Sequence, residues 1–352
     1  MKKIFFIFLI VSFLAIGAFV YIRIVQKNTS APTIRAVIDV AQSSVQSPIS
    51  IEYLRSKSIL GSTLVIEEEL NNGSNYKQYI ASYISEGNKV YGLLTEPTTP
   101  MPQGGFPAIV FNHGYIPPTQ YVTTQKYIAY VDSLARSGFV VFKIDFRGNG
   151  RSEGDPSGSY FSSGYTIDAI SALKSLQLFD KVNPKRIGMW GHSMAGNAVL
   201  RAMEVSPDIR AGVIWAGAVY SYQDFAKYGI SDNSYTHRPD TQRVGAQQAD
   251  REVSSEIQKI RSAPNTIDFS SDFWRAISLT QNLKYLSAPL ELHQAVNDPT
   301  VNIGYSRDLA VELTKQNKEY ELFEYEGGGH NIESPYFETA MERTIVFFKK
   351  NL

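Results

Sequence analysis

The sequence predicts an α/β protein: a mostly parallel β-sheet with helices on both faces, an inserted cap, and a transmembrane helix at its N-terminus. Three observations predict this. From about residue 106 onward, apolar runs of strand length alternate with segments of helical period, the pattern of a parallel sheet joined by helices. One interval, residues 220–288, breaks the alternation with about 70 polar and aromatic residues, more than a crossover of roughly 30 needs. Residues 4–22 form an apolar run interrupted only by Ser12 and Gly17.

As a helix that run is about 28 Å long, close to the hydrocarbon thickness of a bilayer. Residues 1–27 are therefore read as a membrane anchor or a signal segment. Cleavage after the small pair Ala15 and Gly17 would leave the apolar Phe19-Val20-Tyr21-Ile22 at the new terminus, which favours an uncleaved anchor. Lys2 and Lys3 are balanced by Arg23 and Lys27, so orientation is poorly marked. The expected product is a membrane-anchored protein with its main domain outside the cytoplasm, or a secreted one if the segment is cut. Residues 28–60, with scattered Ser, Thr, Gln and Pro, read as a stalk, and 61–352 as the folded domain.

Within that domain, 62–70, 76–85 and 89–95 read as strands separated by the turn signals Asn71-Asn72-Gly73 and Glu86-Gly87-Asn88. They should form an antiparallel edge. The run 106–112 (FPAIVFN) has the unbroken apolarity of a strand buried on both faces. Helical period over 121–136 stops at Gly138, and 139–146 (FVVFKIDF) is the next strand. Then come a helix over 167–179, a strand at 186–191, a helix over 194–204, and strands at 211–219, 289–295 and 320–325. The last helix starts near Ser334 and Pro335 and runs towards Lys350.

The 352 residues carry 34 basic and 34 acidic side chains, so charge gives no reason to expect nucleic acid as a partner. Cysteine is absent, which excludes disulfides, thiolate zinc sites, iron–sulfur clusters and a Cys nucleophile. No metal or cofactor motif is visible. In Gly148-Asn149-Gly150-Arg151-Ser152-Glu153 a dinucleotide fingerprint would need Gly where Glu153 stands. Composition leaves the oligomeric state open.

The chemistry-bearing motif is Gly191-His192-Ser193-Met194-Ala195-Gly196, which follows a buried strand and opens a helix. A sharp strand-to-helix turn leaves a Ser hydroxyl exposed at the carboxyl end of the sheet, and small residues around it relieve the crowding. The alternative for Ser193 is a helix N-cap. A Ser hydroxyl needs a His base, and the His needs an orienting carboxylate. Of five histidines, His330 in Glu326-Gly327-Gly328-Gly329-His330 lies just past the last strand, where sites in such sheets form. Asp298, in Asn297-Asp298-Pro299 after the preceding strand, supplies the acid, with Glu324 in reserve and a plain Asp-Pro turn as the rival. Backbone N–H groups of Met194 and of Tyr115, in Asn112-His113-Gly114-Tyr115, are placed to hold an oxyanion. The cap aromatics, Tyr222, Phe225 and Trp274 among them, either shape a substrate pocket or pack the cap interior.

Together VFNHGY (110–115), DFRGNGRSEG (145–154), GHSMAG (191–196), Asn297-Asp298-Pro299 and GGGH (327–330) resemble the α/β-hydrolase fold, and within it the prolyl oligopeptidase-like and dienelactone hydrolase-like groups. The resemblance implies a serine hydrolase with no cofactor, acting on a small-molecule or peptide acyl substrate, and makes 145–154 a structural loop near the site. It also implies departures: there is no room for a β-propeller, and His113 stands where the family has a Tyr hydroxyl in the oxyanion site. Ester and amide cleavage, including a carboxylesterase acting on small acyl esters, remain open. A catalytically silent binding protein on the same fold is the reading from another class.

Overall fold

The computed structural model describes residues 47–156, 158–230, 255–256, 258–260 and 262–352. The 4–22 run, and so the anchor or signal segment, lies outside the described residues. Among the described residues no helix is long and apolar enough to cross a membrane.

Nine strands form one sheet: β1 Val65–Leu70, β2 Tyr76–Ser85, β3 Asn88–Pro97, β4 Phe106–Asn112, β5 Val140–Ile144, β6 Val182–His192, β7 Gly212–Trp215, β8 Leu290–Ala295 and β9 Tyr320–Tyr325. Their order is β1-β2-β3-β5-β4-β6-β7-β8-β9. The first three pair antiparallel with one another, and β3 pairs antiparallel with β5. From β5 to β9 every neighbouring pair is parallel. The antiparallel edge and the parallel body are as the sequence predicts. β4 and β5 are buried on nearly every residue, which is why they read as unbroken apolar runs.

The helices are α1 Ile51–Ser56, α2 Ile128–Arg136, α3 Gly164–Leu176, α4 Met194–Val205, α5 Tyr222–Tyr228, α6 Asp272–Ile277, α7 Gly304–Lys315 and α8 Phe337–Asn351. The two faces of the sheet bury separate apolar clusters. One holds Val110, Leu173, Met194, Val199 and Trp274; the other holds Phe111, Leu134, Trp190, Trp215 and Phe348. Alternate residues of β4, Val110 and Phe111, thus feed opposite cores.

Most elements fall within about four residues of the sequence reading, but two boundaries differ by more. Residues 47–60, assigned to the stalk, belong to the domain. Ser50 caps α1, its Oγ accepting the Tyr53 N–H at 3.3 Å, and Ile51 and Leu54 are fully buried. Arg55 Nη1 donates to the Glu204 and Val205 carbonyls at 2.6 and 3.4 Å, satisfying the carboxyl end of α4. A cap followed by two apolar residues three apart is a short signal, and the polar residues around it hid it. The helix expected over 121–136 begins only at Ile128, because Lys126 and Tyr127 are both left-handed (φ 57° and 55°). The seven residues ahead of Ile128 form a loop of turns and bends instead, with the Gln125 N–H on the Val122 carbonyl at 3.0 Å, and side chains pin it from below. Tyr121 Oη donates to Asp145 Oδ1 at 2.9 Å and Thr123 Oγ1 donates to Oδ2, while Lys143 Nζ donates to the carbonyls of Gln125 and Lys126 at 3.0 and 3.3 Å. Burial pushes the Asp145 carboxyl up to about 6 and the Lys143 amine down to about 8.

Loop 145–154 is structural, as the resemblance implies. Arg147 grips the buried Asp168 through Nε (3.1 Å) and Nη2 (2.7 Å), and reaches Glu86 through Nη1 (3.0 Å).

Candidate active site

The turn from β6 into α4 places Ser193. Its backbone is left-handed (φ 55°, ψ −123°), a strained conformation for a residue with a Cβ. The Ser193 N–H is held by the Trp215 carbonyl at 2.9 Å and its own carbonyl by the Gly196 N–H at 2.8 Å. Glycine is needed at two flanking positions. A Cβ on Gly191 would lie 2.7 Å from Val199 Cγ2, and one on Gly196 2.8 Å from Gly217 Cα. The intervening position tolerates a methyl group, which accounts for Ala195 where the usual motif has Gly. The side chain of Ser193 does not cap α4, so the N-cap alternative for the hydroxyl falls away.

Ser193 Oγ lies 2.9 Å from His330 Nε2, and His330 Nδ1 lies 2.9 Å from Asp298 Oδ2. A carboxylate only accepts, so Nδ1 carries the proton and Nε2 is free to accept the Ser193 hydroxyl proton. The Asp298 side chain is shielded from solvent and fully engaged. Oδ1 accepts the N–H groups of Thr300 and Val301 at 2.8 and 2.9 Å, and Oδ2 also accepts Gln294 Nε2 at 2.8 Å. Burial raises its pKa, but the hydrogen bond and charge of His330 and the two N–H donors outweigh it and leave the carboxyl below its ordinary value. Glu324, the reserve acid, is taken up elsewhere by a two-point pair with Arg307 at 2.8 and 2.7 Å.

Met194 directly follows Ser193, Tyr115 lines the cavity that Ser193 opens on, and among the described residues neither N–H is used in a loop or turn backbone hydrogen bond. His113, expected from the resemblance at the position of an oxyanion hydroxyl, turns away. It is buried against the Tyr121 ring, centroids 4.3 Å apart, and desolvation pushes its pKa down to about 4.

A cavity of about 520 Å³ opens beside Ser193 and His330. Tyr115, Ile116, Tyr127, Tyr130 and Phe337 give it apolar walls, and Lys126, Glu333 and Glu338 bring charge to its edge. The cap aromatics do not line it. Tyr222, Phe225 and Trp274 are buried together, with the Tyr222 and Trp274 rings 4.9 Å apart and Tyr222 Oη donating to the Tyr160 carbonyl. Their assignment to substrate binding is thus corrected: they are core, members of one buried apolar cluster with the rings of Phe161, Phe269 and Phe273 packed against them. Trp274→Ala should cost about 3–5 kcal/mol of stability while leaving the acetyl-to-octanoyl ester preference unchanged. A urea midpoint beside kcat/KM for the two esters checks this, and an altered ester ratio with an unmoved midpoint would contradict it.

Several site residues escape a motif search. Asn297 Oδ1 accepts the Gly329 N–H at 3.0 Å, lacing the acid loop to the base loop. Gln294 is itself oriented by Ser306, whose Oγ donates to its Oε1 at 3.2 Å. Tyr130 Oη donates to the Asn331 carbonyl at 2.8 Å. Asn297 is marked in the sequence by its place beside the candidate acid, whereas Gln294 and Tyr130 reach the site only through the fold.

A mostly parallel sheet with a strained Ser at a strand–helix turn and a His and an Asp in single file defines an α/β-hydrolase-fold serine hydrolase. More narrowly, the chain belongs to the serine aminopeptidase S33 family, whose model matches residues 107–334. It is similar to the uncharacterized peptidase YtmA of Bacillus subtilis (strain 168), 28% identical over 271 residues, covering 76% of this chain and 90% of that one. Two solved structures share the fold. The acylaminoacyl peptidase of Pyrococcus horikoshii superposes with a TM-score of 0.60 at 18% identity, over 79% of this chain but only 42% of its own. The acetyl xylan esterase of Paenibacillus sp. R4 gives 0.61 at 17% identity, over 86% and 92%.

Proposed function

We propose that this protein cleaves an ester or amide bond through an acyl-enzyme formed on Ser193. The observation that carries the reading is the Ser193–His330–Asp298 file, with both links at 2.9 Å, opening on the cavity. In the first half-reaction Ser193 Oγ bonds to the carbonyl carbon as its proton passes to His330 Nε2. The tetrahedral oxygen takes the N–H groups of Met194 and Tyr115, and the leaving oxygen or nitrogen departs with the proton from Nε2. In the second, water adds to the acyl carbon by the same path and Ser193 is freed. Asp298 stays ionised and holds the imidazole.

The apolar walls suit a hydrophobic group next to the scissile bond. Two carboxylates against one amine at the edge favour a neutral or cationic group there over an anionic one. Likeness to peptidases and to an esterase supports both bond types. Residues 4–22 support an enzyme anchored by its N-terminus with the domain outside the cytoplasm. In that case the full chain stays in the membrane pellet through carbonate washing, and a soluble mature form beginning near Ala18 would replace the anchor with a signal peptide.

The test is a fluorophosphonate probe followed by a panel of p-nitrophenyl esters and aminoacyl or peptidyl p-nitroanilides. One label per chain on Ser193, with turnover of at least one panel class, is the expected result. An unlabelled folded protein would turn the reading into that of a silent binding protein.

A further inference from the structure

We propose that Tyr127 and His192 are positioning residues, whose hydroxyl and imidazole form one hydrogen-bonded chain that keeps the oxyanion loop in register with the loop carrying the base. The inference rests on the reading of Ser193, His330 and Asp298 given above.

The chain has three links. The Gly114 N–H lies 2.9 Å from Tyr127 Oη, Tyr127 Oη lies 2.8 Å from His192 Nδ1, and His192 Nε2 lies 2.9 Å from the His330 carbonyl oxygen. Every direction follows from one fact: a carbonyl cannot donate. His192 Nε2 must therefore carry a proton. The ring is neutral, since desolvation beside His330 pushes its pKa down to about 3. A neutral imidazole has one donor and one acceptor, so Nδ1 accepts. The Tyr127 hydroxyl proton is then committed to Nδ1, and its oxygen accepts from Gly114. The chain runs one way, from the oxyanion loop through the elbow to the peptide of the base.

Three further observations show that the surroundings are built around this chain. Tyr127 sits in the strained Lys126–Tyr127 turn, and the buried Lys143 amine holds the carbonyls before it. Strain of this kind persists only where the neighbourhood over-determines it. The Tyr127 ring is set edge-on to Phe111 and Trp190, at 5.6 and 6.2 Å between centroids, so the hydroxyl has little freedom to wander. Position 114 must be glycine because of the chain: a Cβ there would lie 2.7 Å from Tyr127 Oη and 2.9 Å from His192 Nδ1.

With Gly114 N–H spoken for, the next peptide in the loop is fixed, and the Tyr115 N–H keeps its aim. Without the hydroxyl, Gly114 N–H and His192 Nδ1 both lose their partner. Losing one oxyanion donor outright costs about 10²–10³ in kcat, and misaiming one should cost less.

The experiment measures kcat, KM, urea midpoint and fluorophosphonate labelling for Tyr127→Phe, His192→Gln, His192→Leu and the Tyr127→Phe/His192→Leu double variant of the full chain. Tyr127→Phe, which keeps the ring packing, should lower kcat by roughly 10- to 100-fold with KM within about two-fold and Ser193 still labelled at completion. His192→Gln restores one acceptor and one donor and should retain most of kcat, whereas His192→Leu should not. The double variant should be no worse than the poorer single one, because one chain can be cut only once. Full kcat in Tyr127→Phe, or losses that multiply in the double variant, would overturn the proposal. If His192→Leu fails to fold, Tyr127→Phe against His192→Gln still decides. Ser193→Ala run alongside separates the two failures. An inactive Ser193→Ala with a fully active Tyr127→Phe sinks only the positioning chain, and an active Ser193→Ala sinks the underlying mechanism.

Discussion

Ser193→Ala is expected to lower kcat by about 10⁴-fold or more and to abolish fluorophosphonate labelling, with little change in the urea midpoint. Among the described residues the Oγ hydrogen-bonds only His330 Nε2, so removing it leaves the packing of the turn intact. Alanine also keeps the left-handed backbone that Ser193 already occupies. His330→Ala should fall nearly as far, because nucleophile and base act as a unit and losing either disables the same step. The two losses should not add in the double variant. A Ser193→Ala protein that keeps a tenth of wild-type turnover would mean another nucleophile.

Asp298→Asn should cost about 10⁴ in kcat for a different reason. Asp298 accepts four donors: the N–H groups of Thr300 and Val301 on one oxygen, His330 Nδ1 and Gln294 Nε2 on the other. Asparagine has only one oxygen. If that oxygen stays with the two backbone donors, its NH₂ faces Nδ1, and the imidazole relaxes by moving its proton to Nε2. That is the wrong tautomer, since Nε2 can then no longer accept from Ser193. The folded structure should survive, with labelling slowed rather than lost. Equal labelling rates in Asp298→Asn and wild type would place the orienting acid elsewhere.

The reacting residues were legible because each is tied to a local sign. Ser193 sits between a strand and a helix with small residues about it, and Asp298 and His330 each follow a strand within a few residues. Strand order beyond the parallel rule, by contrast, is a matter of long-range pairing. The loop of 121–127 misled by its helical period: Tyr121 and Thr123 are there to bind Asp145 and not to line a helix face. The sequence places His192 in the elbow without a role and Tyr127 in a helix, because their partners, Gly114 and the His330 carbonyl, come from segments distant in sequence. The cap aromatics were ambiguous by nature, since aromatic residues serve a pocket wall and a core equally well. Only burial distinguishes them, and Tyr222 and Trp274 at 1% and 2% exposure are core.

The clamp of Arg55 on the last carbonyls of α4 has a mechanical consequence. That helix carries the nucleophile at its first turn and, about 18 Å away along its axis, receives the first helix of the domain. Tension on the polypeptide ahead of Ser47 therefore arrives at the far end of the helix from Ser193. It would load the Ile51 and Leu54 packing and the Arg55 hydrogen bonds ahead of the strand–helix turn. The point where the chain enters the domain is thus held apart from the nucleophile by the length of a helix.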